Sequence, residues 1–213
     1  MQKVETPSCD YGKHNDDYPR SMRDAAVRER RSAMLSESHM RPLTAHALKL
    51  RKSGQGQVPD FDPLDGGINA RILFLFEKPG PMTSDGRGSG FISRNNDDPT
   101  AEATFEFMQV AGIPRKLTVT WNLIPWWNGT RKVTASELRQ GVECVTELLT
   151  LLPNLRAVVL VGGRAARAET YFKRAGLPVF ASAHPSPLVR ASLPETWNAI
   201  PHQWAKVLAV VAR

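Results

Sequence analysis

The chain has 213 residues, 41% hydrophobic and 23% charged, with a formal net charge of +7 and a pI near 9.7. That length allows one sizeable core with an appendage, and no apolar run approaches the roughly 20 residues of a membrane helix. Two cysteines, Cys9 and Cys144, are too few for a four-cysteine iron–sulfur cluster or a typical structural zinc. With the polar start Met1-Gln2-Lys3-Val4-Glu5, they suit reduced thiols in a cytoplasmic protein. The positive balance is compatible with a polyanionic partner, though charge alone does not specify one.

Residues 1–19 are polar and unpatterned and are expected to be mobile. From Arg20 to Leu50 the composition is helical, with Met22, Ala26, Met34, Leu43, Ala47 and Leu50 as apolar members. Nine basic residues share this stretch and its end: Arg20, Arg23, Arg28, Arg30, Arg31, Arg41, Lys49, Arg51 and Lys52. They read as a basic arm for phosphates or as a solvated helical face. Residues 53–67, rich in Gly, Pro and Asp, read as a linker or surface loop. The expected division is therefore 1–68, an N-terminal extension with helices and linker, and 69–213, an α/β domain.

Beyond residue 68 strands and helices alternate. Strands are expected at Ile72–Phe76, Leu117–Trp121, Ala157–Val161 and Val179–Ala183. Helices are expected from Ala101 to Ala111 with Thr100 as cap, from the Thr134 cap to about Leu152, from Arg164 to Ala175, and from Glu195 to Val211. Such alternation implies a three-layer α/β/α sandwich around a central, mostly parallel four-stranded sheet. In such sheets ligands gather beyond the carboxyl ends of the strands. Three polar segments occupy those ends: Glu77-Lys78-Pro79-Gly80-Pro81, Asn122, and His184-Pro185-Ser186-Pro187-Leu188.

These segments resemble the motifs of the uracil-DNA glycosylase superfamily, and the resemblance runs from about Arg71 to the carboxyl terminus. Phe76 to Pro81 is similar to the first motif, of the type G-E-A-P-G or G-M-N-P-G-P. Asn122 stands where an Asn ends the second strand, and His184 to Leu188 reproduces H-P-S-P-L residue for residue. The resemblance implies a glycosylase that removes uracil from DNA by base flipping, leaves an abasic site, releases free uracil, and works without metal or organic cofactor, as a monomer. It implies that Asn122 reads the uracil edge, that Phe91 stacks on the base, and that Pro79 and Gly80 shape the pocket. His184 would donate to the leaving base, with Glu77 and Lys78 as the other catalytic candidates. Pro81, Ser186, Leu188 and Arg190 would contact the DNA, with Leu188 as a wedge.

The chemistry accounts for these residue types. An extruded base costs a few kcal/mol of unstacking. An Asn side chain offers both donor and acceptor to its edge, and a site built to hydrogen-bond a substrate rejects an analogue strongly. A donor aimed at charge developing on the departing uracil is worth about 2.7–4 kcal/mol. Lys78 departs from the motif, since the family carries Asp or Asn there to handle water. It would hold a phosphate or the leaving group, point to solvent while Glu77 or Asp85 orients the water, or form a Schiff base with the sugar. Two other classes compete with a glycosylase. One is a noncatalytic or product-retaining binder of uracil-containing or abasic DNA, which Lys78 motivates. The other is a hydrolase of small phosphates, which lacks both a G-x-S-x-G elbow and a P-loop. Trp126 and Trp127 would stack on bases or cover a helix, and Gly162-Gly163-Arg164 fits a tight turn better than a phosphate cradle.

Overall fold

A five-residue run in which every side chain is buried, Ile72 to Phe76, forms the central strand β2 of a parallel sheet. A strand covered by helices on both faces has no polar side to show. The computed structural model describes residues 16–84 and 86–211; Cys9, His14 and Asp85 lie outside them. Before β2 come α1 (Ala25–Ala33), α2 (Arg41–Arg51) and the two-residue strand β1 (Asp60–Phe61). After it come β3 (Phe91–Ile92), α3 (Pro99–Val110), β4 (Thr118–Asn122) and α4 (Ala135–Thr150). The chain continues through β5 (Ala157–Val161), α5 (Glu169–Arg174), β6 (Val179–Ser182), α6 (Pro187–Ser192), α7 (Pro194–Ala205) and α8 (Leu208–Val211).

The main sheet has four parallel strands in the order β4-β2-β5-β6. Alternation along the strands divides the core into two layers. Leu73, Leu75, Val119, Trp121, Val158 and Leu160 pack with residues of α2, α4 and α5. Ile72, Phe74, Phe76, Val159 and Val161 pack with α3, α7 and α8, where Phe74 meets Trp204 edge-on at 5.0 Å. The three-layer α/β/α architecture with preceding helices is therefore present.

Several local expectations need correction. Helix α3 starts earlier than expected, because Asp98 rather than Thr100 caps it, accepting from the Thr100 and Ala101 amides with Pro99 in the first turn. Leu117 ends a short 3-10 turn rather than beginning a strand. The helix expected at 164–175 divides into the 3-10 turn Ala165–Ala168 and α5, and the closing helix divides into α7 and α8. The His184–Leu188 segment is not all loop: Ser186 caps α6, and Pro187 opens it. Pro in a first helical turn forfeits no hydrogen bond. The Thr134 cap is present, and Glu137 completes a capping box with it.

Residues 53–67, read as a linker, carry β1 and bury Val58, Phe61, Asp62 and Asp65. Phe61 stacks on Trp121 with ring centroids 3.6 Å apart, a pairing worth about 0.5–1.5 kcal/mol beyond its buried area. Asp62 accepts from Arg31 of α1 and Arg115, and Arg115 also pairs with Asp17 and Asp65. Burial opposes the charge on Asp62, but Arg115 and Arg31 hold its carboxyl well below the usual range. Asn95 joins the network by accepting from Arg115 at 2.7 Å. The residue-91 to residue-96 segment is thus anchored to the described N-terminal residues.

Candidate active site

The carboxyl ends of β2 and β4 lie side by side, because Phe76 is the register partner of Asn122. Backbone pairing continues past the strands: Leu123 N–H donates to Phe76 O at 2.8 Å and Ile124 N–H to Glu77 O at 2.9 Å. The turn Glu77-Lys78-Pro79-Gly80 is thereby fixed next to Asn122. Above this edge opens a cleft of about 700 Å³, whose walls include Phe76 to Pro81, Ile92, Thr120, Asn122, His184 and Leu188. The start of α3, Asp98 to Ala101, forms another part of the wall. Segments separated by more than a hundred residues of sequence therefore meet at one place.

Asn122 is 4% exposed, and among the described residues its side-chain amide has no hydrogen-bond partner. Its amide reaches the cleft, where an Asn side chain offers both an acceptor and donors to whatever enters. His184 sits where β6 gives way to α6. Phe76 meets its ring edge-on at 5.7 Å, and the Ser186 N–H donates to its carbonyl at 2.8 Å. Burial pushes the imidazole down to about 4, and the positive charge of Arg131 acts in the same direction. The ring is neutral at pH 7, with one N–H to donate and one acceptor nitrogen.

Gly162 provides the surface against which His184 rests. Its φ is +95°, and a Cβ there would stand 3.3 Å from the His184 Cβ. Only glycine combines that backbone with that approach at no strain. The Gly162-Gly163-Arg164 segment is thus a tight turn whose first residue supports the histidine; only its position after a strand hinted at this.

Lys78 does not point to solvent. Its side chain is 3% exposed, and its ammonium donates to Glu137 Oε1 at 2.7 Å and to the Lys132 carbonyl at 3.0 Å. Burial tends to raise the Glu137 pKa, but Lys78 and the Thr134 N–H hold it down at about 2. Asn128 donates to the same oxygen at 3.0 Å. Glu77 is paired with Arg164, which also donates to the Arg131 carbonyl at 3.1 Å. The second oxygen of Glu77 has no hydrogen-bond partner among the described residues.

Phe91 is one of two site candidates that the fold does not bring into the cleft lining. It is 3% exposed and packs with Met22 and Val27. Paired with β1, β3 sends successive side chains to opposite faces, so Ile92 lines the cleft and Phe91 turns away. Pro79, Gly80, Pro81, Ser186 and Leu188 all line the cleft, and Leu188 is 74% exposed at its mouth. Arg190 lies outside the lining, on the α6 surface over the Trp197 ring at 5.8 Å. Trp126 is buried in the core, and the Trp127 backbone pairs with Gln57. Thr120, Ile92 and Arg131 were not singled out from sequence, and Arg164 was read only as part of a tight turn, because their place depends on which way each segment faces.

A model of the uracil DNA glycosylase superfamily matches residues 63–207. The chain belongs to the uracil DNA glycosylase superfamily. No curated protein matches it. Membership makes a glycosylase-like function directed at DNA the general activity of this fold. The cleft lies within the matched segment, whereas α1, α2 and β1 precede it. Among the described residues no group of three or more His, Cys, Asp or Glu could hold a metal ion, and no helix is long and apolar enough to cross a membrane.

Proposed function

We propose that this protein is a monofunctional uracil-DNA glycosylase that hydrolyses the N-glycosidic bond of an extruded deoxyuridine. The observation that carries this reading is the Asn122 amide, without a hydrogen-bond partner among the described residues, in the same cleft as the desolvated imidazole of His184. Uracil presents a carbonyl acceptor beside an N–H donor, and one Asn side chain satisfies both. Cytosine reverses both groups along that edge, so the same amide would meet it only after turning over about χ2. Ile92 and Phe76, rather than Phe91, would supply the apolar contact to the base.

In the reaction the bond between C1′ and the base nitrogen breaks heterolytically, its electron pair leaving with uracil. Negative charge spreads to the uracil carbonyl oxygens, where the His184 N–H donates to it, a contribution of about 2.7–4 kcal/mol. The sugar is left as an oxocarbenium ion. Water adds to C1′, and the proton it releases passes to the free oxygen of Glu77, whose other oxygen Arg164 fixes. The uracil anion takes up a proton and Glu77 returns its own to solvent, so that the products are free uracil and an abasic site and the carboxylate is restored. Lys78 is assigned a positioning role: through Glu137 and the Lys132 carbonyl it ties the Glu77–Gly80 turn to the start of α4. Leu188 is placed to fill the gap left by the extruded nucleotide, as apolar side chains do elsewhere.

The Lys78 substitution also favours a second reading, a binder of uracil-containing or abasic DNA that performs no hydrolysis. Incubation with a uracil-containing oligonucleotide, followed by alkali, separates the two. Strand scission at the uracil together with released uracil is expected. Retained binding without scission would replace the enzyme with the binder.

A further inference from the structure

The basic residues of this chain are not equivalent, and their pairing shows which remain available to a polyanion. In the N-terminal helices, Arg20 pairs with Asp97 and Glu102, Arg30 with Asp16, Arg31 with Asp62, Lys49 with Glu147 and Arg51 with Asp60. Arg28 donates to the carbonyls of Met22 and Arg23. Five of the nine basic residues of this region are therefore neutralised within the protein, while Arg23, Arg41 and Lys52 have no carboxylate partner among the described residues. The exposed residues Arg131, Lys132 and Arg167 have no carboxylate partner among the described residues, and Arg164 beside them shares its charge with Glu77.

Arg131 and Arg164 line the cleft, and Lys132 and Arg167 belong to the same two segments. Arg131 and Lys132 immediately precede α4, and Arg164 and Arg167 flank the 3-10 turn that leads into α5. In a 3-10 turn, residues three apart eclipse one another. Helices α4 and α5 both pack on the Leu73 and Leu75 face of the sheet. Helix α3 packs on the opposite face, and its start carries Asp97, Asp98 and Glu102, with Arg20 paired to the first and last and Arg190 near Glu102. The cleft thus has a basic rim and an acidic rim on opposite sides of the sheet edge.

We infer that Arg131, Lys132, Arg164 and Arg167 form the phosphate-binding rail of this protein, so that the sugar–phosphate backbone runs over the α4/α5 side of the cleft and not over α3 or the N-terminal helices. Glu77 then has a second effect: by pairing with Arg164 and so holding it against the Arg131 loop, it keeps the rail continuous. The inference rests on the glycosylase reading only for its choice of a polynucleotide as partner.

The test is binding of a short undamaged oligonucleotide, single-stranded and duplex, by fluorescence anisotropy between about 50 and 200 mM salt. The variants are the rim triple Arg131→Ala/Lys132→Ala/Arg167→Ala and the arm triple Arg23→Ala/Arg41→Ala/Lys52→Ala. Each lost phosphate contact lowers the slope of log K against log salt by about 0.9 on duplex and about 0.7 on single strands. The rim variant is therefore expected to lose about 2 to 3 from the slope, with the arm variant close to the parent. A rim slope equal to the parent's, or an arm variant that loses as much, overturns the rail. Because the probe contains no uracil, a parent that fails to excise would refute the glycosylase reading and leave this result standing.

Discussion

Replacing Lys78 with Met separates a tether from a catalytic amine. The Lys78–Glu137 pair is 2.7 Å long, with side chains 3% and 11% exposed. Removing one member leaves a carboxylate with only the Thr134 N–H and Asn128 amide as partners. The Glu137 pKa lies at about 2 against an ordinary 4.5, which at about 1.36 kcal/mol per unit corresponds to ~3 kcal/mol. Solvent screening at the protein surface reduces this, and a loss of about 2 kcal/mol is the expected cost of Lys78→Met. For a chain of this size that lowers Tm by about 4–8 °C. The depressed pKa also sets the pH dependence: the stabilisation is full above 4.5 and is lost as pH falls towards about 2. Thermal unfolding at neutral and acid pH, with Glu137→Gln and the double variant, yields the coupling energy. Borohydride treatment with uracil-containing DNA provides the chemical control. A coupling energy below about 0.5 kcal/mol, or a trapped covalent complex in the parent that Lys78→Met abolishes, would refute the tether.

Gly162→Ala is expected to cost about 1–3 kcal/mol, because φ is +95° and the new Cβ would press on His184. The excision rate should fall more than stability predicts, which comparison of kcat with Tm at matched temperature would reveal; an unchanged rate would remove Gly162 from the support of the histidine. His184 is depressed from 6.5 to about 4, so its contribution is full above about 6.5 and is lost as pH falls through about 4, for a total of ~3 kcal/mol. Denaturant unfolding at pH 7 and about 4 should show a smaller pH dependence in His184→Asn than in the parent, and equal dependence would contradict the burial argument. Asn122→Ala should reduce kcat/KM on uracil about a hundredfold, corresponding to roughly 3 kcal/mol of lost pairing, with little change in Tm.

What could be read from sequence was whatever depends on local pattern. Continuous apolar runs marked the strands, and β2 and β5 have the expected bounds. Thr134 with Glu137 three residues later marked the start of α4. The strand ends located Asn122, His184 and the Pro79-Gly80 turn, which do share one cleft. Two misreadings had signals in plain view: Asp98-Pro99 and Ser186-Pro187 are each a cap residue followed by a first-turn proline. Others had none. Phe91 is aromatic wherever it points, and only the pairing of β3 with β1 decides that Ile92 takes the inward position. A one-residue difference in such a strand exchanges its faces. Lys78 meets Glu137 across 59 residues and Arg164 meets Glu77 across 87; no spacing rule reports such pairs. For the same reason Arg31, read with the basic run, and Asp62 and Asp65, read in a linker, gave no sign of the network they form with Asp17 and Arg115.

The measurement that bears most directly on the account is single-turnover release of uracil from an oligonucleotide by the parent, His184→Ala and Asn122→Ala, each checked for intact folding. The account predicts release by the parent and a loss of about 10²–10³-fold for His184→Ala, with Asn122→Ala also strongly impaired. Parent-like rates in both variants would contradict it, since the two side chains would then share a cleft without sharing a reaction.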